Sequence, residues 1–73
     1  MKAYITFGQT HQHSVDGKML DKDTVARIEV ASPDEAVAFA MRTFGGVYSR
    51  IFIGGEWKPD NLKYYPKGYV DLG

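Results

Sequence analysis

Two histidines one residue apart, His11-Gln12-His13, are the first side chains able to do chemistry. In an extended segment, residues two apart point the same way. The two imidazoles could then share one divalent metal, with Asp16, Asp21 or Asp23 adding an oxygen ligand. The same spacing suits two loop histidines that bond backbone carbonyls. Asp21-Lys22-Asp23 is the second group. Paired carboxylates can do acid–base work or hold a cation. Before a strand they more often tie a loop by accepting backbone N–H groups, and that local role is expected here. The third group is the tail, where Trp57, Lys58, Lys63, Tyr64, Tyr65, Lys67 and Tyr69 interleave aromatic and basic residues. That mixture suits base stacking along a single strand, protein recognition through aromatic anchors, or simple packing with lysine stems laid over apolar surface. Glu56, Asp60 and Asp71 nearly cancel the lysines.

The composition excludes other chemistries. There is no cysteine, so disulfides, thiolate nucleophiles and cysteine-type zinc sites are absent. Ser14, Ser32, Ser49 and the threonines occupy no elbow or triad spacing. Gly45-Gly46 and Gly54-Gly55 lack the strand–glycine–helix setting of a phosphate loop. The expectation is a non-enzymatic protein without a cofactor, a divalent metal at His11 and His13 being the one candidate. Nine basic residues balance nine acidic ones, giving a formal net charge of zero. A dedicated nucleic-acid binder is usually strongly basic, so nucleic acid is a disfavoured partner. No apolar run is long enough to span a membrane and no signal-type leader opens the chain, so a cytoplasmic location is expected.

The elements that must position these residues fit one domain over residues 1–73. At 44% hydrophobic and 14% aromatic the chain should fold. A first strand over 2–7 alternates Ala3, Ile5 and Phe7 against Tyr4 and Thr6. A polar stretch over 9–23 follows, with a turn signal at Asp16-Gly17. A second strand over 24–31 sets Ala26, Ile28 and Val30 against Arg27 and Glu29. Ser32-Pro33-Asp34-Glu35 is a capping box that opens a helix, and Gly45 closes it in the left-handed region. Val37, Ala40, Met41 and Phe44 form its expected apolar stripe. A third strand over 47–53 places Val47, Ser49, Ile51 and Ile53 on one face and Tyr48, Arg50 and Phe52 on the other.

The order β-β-α-β plus an extended C-terminal segment predicts a small α+β fold, with an antiparallel sheet and one helix across one face. The opposite face is then the candidate binding surface. It carries Tyr4, Arg27, Tyr48 and Arg50, joined by Trp57, Tyr64, Tyr65 and Lys67 of the tail. With Lys63, Arg27 and Arg50 would also be the cations of a nucleic-acid reading. A domain this short has a marginal core, so homodimerisation is a further expectation.

The chain also carries a resemblance. Tyr4-Ile5-Thr6-Phe7-Gly8-Gln9-x-His11-x-His13, then Asp16-Gly17 and Asp21-Lys22-Asp23, resembles a group of short uncharacterised proteins of tailed bacteriophages and prophages. The stretch around Ile28-Glu29-Val30, the acidic-capped helix and Thr43-Phe44-Gly45 is similar too. So is the closing Tyr64-Tyr65-Pro66-Lys67-Gly68-Tyr69, with Tyr65 where the group has phenylalanine and Lys67 where it has arginine. Lysine has no planar fork, so a bidentate grip on a carboxylate or phosphate is lost at Lys67. The resemblance implies a phage-encoded accessory protein, acting in the cytoplasm of a bacterial host. Small phage proteins of this kind often bind and occlude a host protein or complex, as anti-CRISPR inhibitors do.

Overall fold

A computed structural model describes residues 1–72. Six strands, β1 (Lys2–Thr6), β2 (His13–Val15), β3 (Lys18–Leu20), β4 (Thr24–Glu29), β5 (Arg50–Ile53) and β6 (Gly68–Asp71), accompany one α-helix, α1 (Pro33–Phe44). Two short 3-10 helices, Gly54–Glu56 and Pro59–Tyr64, lie between β5 and β6. The main sheet has the order β5-β1-β4-β6, and β2 and β3 form a separate hairpin. The fold is a small α+β structure built on a mixed sheet.

Alternation decides which face each side chain takes. Ala3, Ile5 and Phe7 join Ala26, Ile28 and Val30 in one buried cluster beneath α1. The helix presents Ala36, Ala40 and Phe44 to that cluster. The expected stripe is therefore rotated. Val37 and Met41 stay 47% and 53% exposed. Both stripes satisfy helical spacing, but two alanines let the helix lie closer to the sheet, with Phe44 filling the end. Ser32 caps the helix by accepting from the Glu35 N–H at 3.2 Å. Gly45 ends it at φ 62°, its N–H donating to the Met41 carbonyl at 2.9 Å.

Three further expectations need correction. The sheet is not wholly antiparallel, because β6 runs parallel to β4 with Ala26 beside Val70 and Arg27 beside Asp71. Parallel partners need a crossover, and the chain makes one by carrying the tail from β5 across the sheet to β6. The polar stretch over 9–23 is not a plain loop but contains β2 and β3. Asp16 and Gly17, at φ 53° and 79°, supply the two left-handed residues of a tight hairpin turn. Finally, β5 begins only at Arg50. Tyr48 precedes it and packs against the helix-side cluster rather than on the opposite face.

Candidate functional site

The face opposite the helix is built from cross-strand neighbours. Tyr4 pairs with Arg27 on one side and Phe52 on the other. Val25 and Arg27 stand beside Tyr69 and Asp71. Onto this row the tail lays Trp57, which is 4% exposed. Its ring stacks on Tyr4 at 5.3 Å and 16°, and meets Phe52 edge-on at 5.4 Å. Tyr65 and Tyr69 close around it at 6.0 and 6.3 Å. The indole N–H donates to the Tyr69 hydroxyl at 2.9 Å, so the one polar atom of the ring is satisfied. This face is thus a second, aromatic core, and Tyr4, Trp57 and Tyr65 are structural members of it.

The cations expected to bind a partner are mostly engaged within the chain. Arg27 grips the Asp71 carboxylate with two bonds, at 2.7 and 3.1 Å, and lies 4.2 Å over the Tyr69 ring. The bonded guanidinium holds Asp71 below the usual carboxylate range, and Asp71 raises Arg27 in return. Lys67 donates to Asp21 at 2.9 Å. That bond lowers the Asp21 carboxyl, helped by the Asp23 N–H that donates to its other oxygen at 2.9 Å, and it raises Lys67. Thr24 completes the corner, its hydroxyl accepting from the Asp21 N–H at 2.8 Å. Asp21 therefore performs the local tying role that its place before a strand suggested, whereas the Asp23 carboxylate takes only the neighbouring Lys22 ammonium, at 3.3 Å.

The two histidines divide. His13 packs its ring on Phe44 at 4.9 Å and on Phe7 at 5.7 Å. Its Nε2 donates to the Val47 carbonyl at 2.6 Å, which leaves only Nδ1 free for any ligand. His11 lies half-buried in the preceding loop. Among the described residues no three His, Cys, Asp or Glu side chains gather as a metal set.

Three of the expected binding residues remain open to solvent, and of these Lys67 is held by Asp21. Arg50 is exposed, lying 4.9 Å over the Phe52 ring. Tyr64, at the end of the second 3-10 helix, is 66% exposed, with the Lys63 ammonium 5.2 Å from its ring centre. Sequence reasoning missed the exposure of Val37 and Met41, although the competing spacing of Ala36, Ala40 and Phe44 was present. It also missed Asp71 as the partner of Arg27, a contact across 44 residues with no local signal.

No family model, curated protein or solved structure matches the chain. No helix among the described residues is long and apolar enough to cross a membrane.

Proposed function

We propose that this chain is a non-enzymatic, phage-encoded accessory protein that binds and occludes a host protein, in the manner of small anti-defence inhibitors. It acts in the bacterial cytoplasm, with Tyr64 as the central anchor. The observation that carries the reading is the contrast between Tyr64 and its neighbours. Tyr4, Trp57, Tyr65 and Tyr69 are packed against one another, whereas the Tyr64 ring is 66% exposed. A tyrosine has few rotors and offers both an apolar face and a hydroxyl, so it gives contact area at low entropic cost. Lys63, whose ammonium lies 5.2 Å from the Tyr64 ring centre, adds a polar contact at the rim. The resemblance to phage proteins supplies the class of partner.

The test uses the purified protein and its Tyr64→Ala variant to capture partners from a bacterial lysate, followed by calorimetry with the captured protein in pure form. The expected result is a partner bound directly by the native chain and at least about tenfold more weakly by Tyr64→Ala. Melting temperatures of the two forms should agree. Equal binding by both forms, or no direct binding at all, overturns the reading.

A further inference from the structure

The sheet has two edges, β5 and β6, and among the described residues the outward backbone of β5 is covered only in part. β5 is an end strand with β1 on its inner side. Its register with β1 pairs Tyr4 with Phe52 and Ile5 with Ile51. The Ile53 N–H turns outward, donating to the Glu56 carboxylate at 2.8 Å. Backbone groups alternate along an antiparallel strand, so the N–H and C=O of Ile51 also point outward, away from β1. Glu56 caps Ile53, but Ile51 has no such cover among the described bonds. An open strand edge of this kind is a template for pairing.

The helix above this edge is apolar on the matching side. The hairpin covers the β4 and β6 side of the sheet, where Leu20 enters the core and Lys18 donates to the Asp71 carbonyl at 2.8 Å. Phe39, on that flank of α1, packs against the core. Val37 and Met41 lie on the other flank, over β5, and remain about half exposed at 47% and 53%. Ile51 and Ile53 lie beneath them, only partly buried. Edge and flank form one continuous surface.

We infer that this surface pairs with a second copy of the same chain, β5 against β5 in antiparallel register about a twofold axis at Ile51. Three features select a copy over another partner. A single outward N–H and C=O on Ile51 satisfy each other when that residue meets itself across a twofold. In this register Arg50 faces Phe52 of the second copy, extending the cation–ring contact it already makes at 4.9 Å. The twofold also sets the two α1 helices antiparallel, which brings the acidic first turn, Asp34 and Glu35, toward the basic last turn at Arg42 of the other helix. Val37 and Met41 then meet their counterparts and lose their exposure. The inference is independent of the role given to Tyr64.

Sedimentation of the purified protein, with hydrogen exchange at the Ile51 amide, tests this. The expected mass at about 100 μM is twice the 8.2 kDa of the chain. Ile51 exchange should quicken on dilution, because monomers expose its amide. Met41→Lys, a change at an exposed site, should return the protein to monomer with an unchanged circular dichroism spectrum. Val37→Lys serves equally if Met41→Lys misfolds. A protein monomeric at about 1 mM, or a dimer that both lysine variants leave intact, overturns the inference. So does a dimer whose Ile51 amide exchanges freely, since that points to helix contact alone.

Discussion

At the scale of single residues, Trp57 holds the most. Its ring joins β1, β5 and the tail, and its N–H is bonded to Tyr69. Trp57→Ala is expected to cost about 3–5 kcal/mol, enough to leave a domain of this size largely unfolded at room temperature. Trp57→Phe keeps most of the ring area but strips the Tyr69 hydroxyl of its donor, for about 1 kcal/mol. Thermal melts of the two variants check the order. The ion pairs act through pH. Asp21 and Asp71 are each held below the ordinary carboxylate value, by Lys67 and Arg27 respectively. A lowered folded value means that stability is fully present above the ordinary pKa of about 3.9 and is lost as pH falls through the lowered one. The melting temperature should therefore hold near neutrality and drop below about pH 4. Asp21→Asn should melt slightly lower at pH 7, since Lys67 loses its partner, and show a shallower acid drop. Equal acid drops in the two proteins would refute the assignment. These pairs were not legible beforehand, because Asp21 and Lys67 lie 46 positions apart.

At the scale of elements, the local signals were the readable ones. Ser32, Pro33 and Gly45 mark the helix ends with short-range chemistry, and the structure uses all three. The Asp16-Gly17 turn was also visible, but the strands flanking it were not. Each has only three residues, too few to display alternation. The helix stripe was misplaced for a different reason. Val37 and Met41 are more hydrophobic than Ala36 and Ala40, yet close approach to the sheet favours the smaller side chains. The extended end of the tail was readable, but not its parallel pairing with β4, because nothing local announces a parallel partner; the place of β6 is fixed by the crossover of the tail. The left-handed cap gives a test at this scale. Gly45→Ala, at φ 62°, should destabilise by about 1 kcal/mol. Gly55→Ala is a control, since a methyl group there meets nothing within 4 Å and its φ is not positive. Equal melting of the two variants would show that the cap is not strained by a side chain.

At the scale of the whole molecule, the sheet is covered on both faces by different means. One face is aliphatic beneath a helix, and the other is aromatic beneath a tail that carries two short 3-10 helices. A radius of gyration of 11.0 Å matches the roughly 11 Å expected of a folded domain this long. The general plan, a few strands with a helix across one face, followed from alternation and capping. Which aromatic residues are packed followed less well, because aromatic residues gathered in one stretch of sequence do not reveal which of them the fold consumes. Tyr4, Trp57 and Tyr65 were taken into the second core, while Tyr64, next to Tyr65 in the chain, was left outside.

That second core has an optical consequence. The chain contains a single tryptophan, and it sits on the face away from the helix. Intrinsic fluorescence therefore watches the closing of the tail, while far-ultraviolet dichroism is dominated by the helix on the other side. Were the tail to lift first, the emission would shift to the red while the dichroism held. Were both signals to change at one temperature, the two faces of the sheet would be shown to open as one cooperative unit. The molecule carries its own reporter on the side that needs one.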